Sequence, residues 1–345
     1  MSKVDLQEGN ILVTGAAGFI GAALTHRLLD YGCRVIGIDS MNDYYSVELK
    51  KYRLKSLETH ENFTFIHGDI SSAETIKELF SRYTPSVVVH LAAQAGVRYS
   101  IVNPDAYIQA NIIGFYNILE ACRHCEKVKH LVFASSSSVY GGNTKIPFSV
   151  GDMTDSPVSL YAATKKSNEL LAHSYSHLYG IPATGLRFFT VYGPAGRPDM
   201  AYFKFADTLR AGGTIQIFNY GNCERDFTYV DDIVEGVFRV MQRTPEGEKP
   251  FRVYNIGGGK PENLLTFIEI LQGELVRTGV LPADYDFAAH RELTAMQAGD
   301  VPKTFADSSE LERDFGFRPG IDIREGLRRF AEWYAVYYNC SINEL

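Results

Sequence analysis

Long hydrophobic runs are missing from this chain. No window reaches the roughly 18 consecutive apolar residues that a membrane-spanning helix needs, so we expect no membrane partner. The first ten residues, MSKVDLQEGN, also lack the apolar stretch of a signal peptide. Together these two absences favour a cytoplasmic protein.

Cysteine is scarce, with five residues scattered along 345 positions. An odd number at such wide spacing does not favour a disulfide framework. Cys122 and Cys125 form one CxxC pair, but a zinc site of this kind needs a second pair, which the sequence lacks. We therefore expect no metal site.

An excess of positive charge is also missing, because the formal net charge is −7. Nucleic acids attract basic proteins, so we expect no nucleic-acid partner. A small anionic substrate remains compatible with this balance, since it needs only a local basic pocket. The composition, 45% hydrophobic and 22% charged, is that of a globular protein with a substantial core.

The first half of the chain alternates short apolar runs with amphipathic stretches. This alternation predicts an α/β fold, a Rossmann-type doubly wound parallel sheet with helices on both faces. Near-continuous Val, Ile, Leu and Phe in the strands fit a sheet that is buried on both sides. The predicted strands cover residues 10–14, 34–39, 63–69, 86–92, 130–136 and 183–189, and the predicted helices cover 19–31, 73–83, 105–124 and 161–179.

Glycine- and proline-containing segments interrupt the alternation after residue 190. We expect a first domain at 1–190, with returning segments near 226–257, interleaved with a smaller mixed α/β domain at 191–345. In this second part, strands are predicted near 215–218 and 253–257, and helices near 232–242, 264–277 and 323–338.

Three glycines, Gly15, Gly18 and Gly21, follow the first strand and open the first helix. This context predicts a dinucleotide site, in which unpaired N–H groups at the helix N-terminus bind the pyrophosphate. The next strand ends at Asp39, whose carboxylate suits a ribose 2′-hydroxyl and would repel a 2′-phosphate. The expected cofactor is therefore NAD rather than NADP, bound by the 1–190 domain, which leaves the 191–345 domain for the substrate.

The spacing of these glycines resembles that of the extended short-chain dehydrogenase/reductase family. The resemblance implies that Asp69 and Ile70 meet the adenine, that Leu91, Ala92 and Ala93 lie beside the nicotinamide ribose, and that Asn111 occupies the position of an active-site asparagine. The full set of expected NAD-binding residues is Gly15, Gly18, Phe19, Ile20, Gly21, Asp39, Asp69, Ile70, Leu91, Ala92, Ala93, Asn111, Tyr161 and Lys165.

Tyr161 and Lys165 place a phenol and an ammonium group one helical turn apart on one face of a predicted helix. A nearby cation and the positive nicotinamide ring would lower the pKa of the phenol, so that Tyr161 could take a proton from a sugar hydroxyl. The order of glycines, serine cluster and Tyr161/Lys165 is the catalytic arrangement of the family that this chain resembles. That resemblance places the catalytic serine at Ser136, among Ser135 to Ser138.

Four later segments, at 186–194, 196–201, 225–232 and 299–302, resemble motifs of nucleotide-sugar epimerases, and the first two look like those of UDP-glucuronate 4-epimerases. The resemblance implies an isomerase with NAD as a bound prosthetic group and a transient 4-keto sugar. It also implies that Arg197 and Arg225 contact the pyrophosphate of a UDP-sugar and that Asp300 binds ribose hydroxyls.

The serine cluster separates sister reactions. Related dehydratases carry an Asp-Glu pair after the catalytic Thr, and glucuronate decarboxylases carry Glu where this chain has Ser138; neither acid is present. We therefore expect Ser136, Ser137 and Ser138, with Thr190, to bind the sugar carboxylate without added negative charge.

Two positions depart from the related patterns: Ala195 stands where glucuronate epimerases usually have Trp, and Gln297 where many UDP-galactose epimerases have Arg. A 4-epimerase of UDP-glucose or UDP-N-acetylglucosamine, and a UDP-glucuronate decarboxylase, remain alternatives. A catalytically silent NAD-binding regulatory protein is a more remote one. Family members also lead us to expect a homodimer formed by helices near 105–124 and 160–179.

Overall fold

A seven-stranded parallel sheet forms the centre of the computed structural model, which describes residues 1–296 and 301–340. The strands are β1 Ser2–Lys3, β2 Asn10–Thr14, β3 Arg34–Asp39, β4 Phe63–His67, β5 Val87–His90, β6 His130–Ser136, β7 Ala183–Phe188, β8 Thr190–Tyr192, β9 Ile215–Ile217, β10 Glu224–Tyr229, β11 Arg243–Thr244, β12 Phe251–Ile256, β13 Pro261–Asn263 and β14 Arg291–Leu293. Their order in the central sheet is β12-β7-β6-β5-β2-β3-β4, and this order reverses at β2, as is typical of a doubly wound sheet.

Helices cover both faces of this sheet. The helices are α1 Phe19–Asp30, α2 Val47–Leu57, α3 Ala73–Tyr83, α4 Tyr99–Val102, α5 Pro104–Tyr107, α6 Gly114–Arg123, α7 Leu160–Tyr179, α8 Ala201–Arg210, α9 Val230–Met241, α10 Leu264–Arg277, α11 Ser309–Phe315 and α12 Ile323–Tyr337. Helices α1, α2 and α9 pack together on one face, and α3, α6 and α7 on the other. The predicted Rossmann-type fold is confirmed.

Strand β2 shows why the core has two halves. Ile11 and Val13 belong to the apolar cluster under α1 and α9, whereas Leu12 belongs to the cluster under α3 and α6. Successive side chains of a strand point to opposite faces, so a strand buried on both sides must be apolar at every position. All three residues are fully buried.

A second, smaller region of mixed α/β structure lies beyond the carboxyl ends of the central strands. A three-stranded sheet has the order β13-β10-β8, and β9 pairs with β14. Strand β12 returns to the central sheet, where it pairs with β7 in parallel. The chain therefore crosses between the two regions more than once.

The structure has elements that the sequence pattern did not predict, among them the helices α2, α8 and α11 and the strands β8 and β10. A π-helical segment, Ile108–Ile113, joins α5 to α6, so that a continuous helical stretch runs where the sequence predicted one helix. Within the described residues no helix combines the length and apolarity that crossing a membrane requires.

Candidate active site

One large cavity, of about 1540 Å³, lies between the carboxyl ends of the central strands and the smaller region. Nearly all of the expected site residues line it. Those on its wall are Gly15, Gly18, Phe19, Ile20, Gly21, Asp39, Asp69, Ile70, Leu91, Ala92, Ala93, Ser136, Ser137, Ser138, Tyr161, Lys165, Thr190, Arg197 and Arg225. Asp300 and Gln297 lie outside the described residues.

The glycine turn at the start of α1 has the geometry that a pyrophosphate needs. Gly15 has a φ of +73°, and a Cβ at Gly21 would lie 2.0 Å from the Gly15 carbonyl oxygen, so the helix packs tightly against the turn. Gly18 is the N-cap of α1, and no side chain caps the helix. The first-turn N–H groups and the positive end of the helix dipole therefore remain available to an anion.

Asp39, at the end of β3, is positioned for a ribose. Its carboxylate accepts hydrogen bonds from the backbone N–H groups of Ala17, at 3.2 Å, and Met41, at 2.9 Å. The ammonium of Lys50 lies 3.8 Å from the same carboxylate, and burial lowers the pKa of that lysine. The glycine turn and a carboxylate at the next strand end fit the dinucleotide NAD.

Tyr161 and Lys165 lie in the first two turns of α7, with Ser136 at the end of β6. The Lys165 ammonium donates a 2.9 Å hydrogen bond to the Ala134 carbonyl oxygen, and burial lowers the pKa of Lys165 to about 8. Burial raises the pKa of Tyr161, while a hydrogen bond with Ser136 and the positive charge of Arg197 act in the opposite direction. Among residues 1–296 and 301–340, the cation that acts on the phenol is therefore Arg197, and the charge of its partner Asp199 acts against it.

The serine cluster forms where β6 passes into a 3₁₀ turn, Ser137–Tyr140. The Ser136 hydroxyl accepts a 3.1 Å hydrogen bond from the backbone N–H of Ser138, which fixes the turn. Thr190 begins β8 and also lines the cavity, so hydroxyl groups from the ends of two strands border it. Ser136, Ser137, Ser138 and Thr190 themselves carry no carboxylate, and the nearby Glu169 carboxylate bonds Ser135.

Arg197 and Arg225 approach the cavity from the smaller region. Arg197 forms an ion pair with Asp199, and Asp199 also accepts a 3.1 Å hydrogen bond from the Tyr44 hydroxyl. Arg225, on β10, donates to the carbonyl oxygens of Glu224 and Pro302. Asp199 and Tyr44 line the cavity too, although the sequence pattern did not single them out.

Asn111 does not line the cavity but lies directly behind it, in the π-helical segment. Its side-chain oxygen accepts from the backbone N–H of Gln94 at 2.8 Å, and its amide donates to the Gln94 carbonyl and to the Thr164 hydroxyl, each at 3.0 Å. Asn111 thus ties the loop after β5 to the helix that carries Tyr161. A π-helical insertion at such a position is a frequent feature of functional sites.

Comparison with known proteins agrees with this geometry. Residues 11–257 match the model of the NAD dependent epimerase/dehydratase family. A probable UDP-glucuronate 4-epimerase of Rhizobium meliloti is 45% identical over 95% of this chain and 97% of its own length. UDP-glucuronate 4-epimerase 4 of Arabidopsis thaliana is also 45% identical, over 95% of this chain and 76% of its length. The crystal structure of UDP-glucuronic acid 4-epimerase from Bacillus cereus, in complex with UDP-glucuronic acid and NAD, is similar at a TM-score of 0.86 and 33% identity, covering 95% of this chain and 100% of that one.

Proposed function

Because the chain belongs to the NAD dependent epimerase/dehydratase family, we propose that it is a 4-epimerase that interconverts UDP-glucuronate and UDP-galacturonate through a transient 4-keto sugar. The observation that carries the proposal is that Ser136, Ser137 and Ser138, on the same cavity wall as Tyr161, offer hydroxyl groups and no acid. A dehydratase or a decarboxylase needs a positioned acid at this place, and Ser136 to Ser138 provide none.

The chemistry divides between the cofactor and the side chains. NAD, when bound, would accept the hydride from C4 of the sugar and return that hydride to C4. Tyr161 takes the proton of the C4 hydroxyl and gives it back, with Ser136 sharing the proton path. Lys165 binds the hydroxyls of the nicotinamide ribose, while Arg197 supplies the positive charge that acts on the phenol.

Retention of the carboxyl group is the specific demand on this enzyme. A 4-keto uronate is a β-keto acid, which loses carbon dioxide when the C5–C6 bond aligns with the carbonyl π system. Hydroxyls of Ser136, Ser137, Ser138 and Thr190 hold the carboxylate away from that alignment. Each hydrogen bond to such a charged group contributes roughly 1.5–3 kcal/mol.

Binding of the nucleotide falls to the smaller region. Arg197 and Arg225 bind the pyrophosphate of the UDP-sugar, because guanidinium groups bind phosphate through two donors. Asp300 takes the ribose hydroxyls. In this proposal NAD binds to a domain at 1–190 with returning segments near 226–257, and the UDP-sugar binds mainly to 191–345.

A homodimer is part of the proposal. Helices α4, α6 and α7 and the π-helical segment expose large apolar side chains, which a second copy of the chain would cover. Sedimentation velocity should give a dimer that Leu170→Glu dissociates. The exposed residues are Ile101, Val102, Ile108, Ile113, Tyr116, Leu170 and Leu178.

Five free cysteines favour a reducing compartment, the cytoplasm, where the product would supply polysaccharide biosynthesis.

The test is incubation of the enzyme with UDP-glucuronate, UDP-glucose and UDP-N-acetylglucosamine, with products resolved by chromatography and NMR. UDP-glucuronate should give UDP-galacturonate, and Thr190→Val should slow this conversion more than that of a neutral UDP-hexose. UDP-xylose as the chief product would make the chain a decarboxylase. Conversion of UDP-glucose alone would leave a 4-epimerase without a carboxylate site.

A further inference from the structure

Arg53, on α2, is a buried arginine whose guanidinium donates to neutral oxygen atoms. Its residue is 4% exposed, and within residues 1–296 and 301–340 no carboxylate oxygen lies within 4.0 Å of its guanidinium group. Burial of a charge is costly, and hydrogen bonds to its donors offset part of that cost. Arg53 makes four hydrogen bonds, to oxygen atoms from three separate parts of the chain.

Two of these contacts reach the turn just before Arg197. The Arg53 Nε donates to the carbonyl oxygen of Ala195 and Nη2 donates to that of Gly196, both at 2.8 Å. Ala195 has a φ of +52°, and a Cβ at Gly196 would lie 1.7 Å from the Tyr202 hydroxyl oxygen. A non-glycine residue in the left-handed region persists only where its surroundings hold it, and Arg53 does so through two carbonyls.

The remaining contacts reach the NAD side of the cavity. Nη1 donates to the carbonyl oxygen of Ala17, at 3.0 Å, inside the glycine turn. The same nitrogen donates to the Tyr45 hydroxyl at 2.7 Å. One planar guanidinium therefore joins the loop expected to bind pyrophosphate of NAD to the turn that leads into Arg197, although Arg53 itself is not on the cavity wall.

We propose that Arg53 is a positioning residue that couples the two binding sites. It holds the glycine turn and the 195–196 turn in a fixed position relative to each other, so that NAD and UDP-sugar are bound together. The inference rests on the proposed function for the identity of the two ligands. Lysine cannot replace it, because an ammonium is a single centre, whereas the guanidinium presents its donors in a fixed planar fork. The geometry of the fork, rather than the charge alone, is what the coupling requires.

The charge-preserving variant Arg53→Lys tests this in the full-length protein as purified with its cofactor. We expect the Kd for UDP, measured by titration calorimetry, to rise about tenfold, the order of one lost hydrogen bond to a charged group. We also expect NAD, quantified after extraction, to be lost on dialysis. Arg82→Lys, the same substitution at an exposed arginine of α3, should change neither quantity.

Two results would overturn the proposal. A purely structural role would lower the unfolding temperature of Arg53→Lys and leave both the UDP affinity and NAD retention at wild-type values. Should that variant fail to fold, Tyr45→Phe decides the matter: weaker UDP binding and faster NAD loss support the coupling, and unchanged values contradict it. A wild type that binds both ligands but does not convert UDP-glucuronate would contradict only the proposed function.

Discussion

Glu169 accepts two parallel hydrogen bonds of 2.8 Å each from the guanidinium of Arg187, directly beneath the serine cluster. Both side chains are almost fully buried, and the Ser135 hydroxyl donates to the same carboxylate at 2.7 Å. Glu169 lies one turn after Lys165 on α7, while Arg187 belongs to β7. The pair therefore locks the catalytic helix to the sheet.

Glu169→Gln should destabilise the protein by roughly 3–5 kcal/mol, because it leaves the Arg187 charge buried and uncompensated. Urea unfolding followed by circular dichroism measures the change. Glu48→Gln, which removes an exposed ion pair with Lys51 on α2, serves as the control and should have no measurable effect. If Glu169→Gln lowers the free energy of unfolding by less than about 1 kcal/mol, the Glu169–Arg187 pair does not anchor α7.

The strands of the central sheet, the glycine turn and the catalytic helix were predictable from sequence, since their signals are local. Apolar residues mark each buried strand, and the three glycines and the Tyr161/Lys165 pair each lie within seven residues or fewer of sequence. The serine cluster at the end of β6 was readable for the same reason. Strand ends of a parallel sheet meet at one edge, so residues that are distant in sequence could be assigned to one site.

Helix α2 shows where such prediction stops. Its sequence, VELKKYRLKSL, is rich in charge and looks like an exposed segment, yet Lys50 and Arg53 are buried within it. Their partners, Asp39 and the 195–196 turn, come from other parts of the chain, so no local pattern reveals them. The ion pair of Arg197 with Asp199 and the position of Asn111 behind the cavity depend in the same way on tertiary packing.

Tyr161→Phe removes one hydroxyl from the proposed proton path. Turnover of UDP-glucuronate should fall by roughly 10²–10⁴-fold, the usual contribution of general acid–base catalysis. NAD content and the unfolding temperature should stay at wild-type values, because the ring and its packing against Tyr107 are kept. Activity within threefold of wild type would exclude Tyr161 as the base.

Arg197→Met should shift the pH dependence of kcat. The positive charge of Arg197 lowers the pKa of Tyr161, so its removal raises that pKa. Tyr161 then stays protonated up to a higher pH, so the rising limb of the pH profile of kcat, measured at saturating UDP-glucuronate, shifts to higher pH. Arg225→Met is the matched control, because Arg225 is not among the charges that act on the phenol. In this variant the KM for UDP-glucuronate should rise while the pH profile of kcat stays unchanged. An unmoved limb in Arg197→Met would show that its charge does not reach the reacting phenol.

Asp39→Ser should admit NADP. The substitution removes the carboxylate that repels a 2′-phosphate and leaves Lys50, whose ammonium lies 3.8 Å from that carboxylate, to bind it. Chromatography of the nucleotide extracted from protein reconstituted with equal NAD and NADP measures the preference. The double variant Asp39→Ser, Lys50→Met should no longer bind NADP better than the wild type does. Equal exclusion of NADP by wild type and Asp39→Ser would remove Asp39 from the selection of cofactor.

The most direct test of the account follows deuterium at C4 of UDP-glucuronate through the reaction in ordinary water. If the hydride leaves C4 and returns to the opposite face while the serine cluster retains the carboxylate, NMR will show UDP-galacturonate that still carries deuterium at C4 and its carboxyl group. Loss of the label to water, or accumulation of a UDP-pentose, would contradict the central claim that this chain is an epimerase acting by transient oxidation at C4.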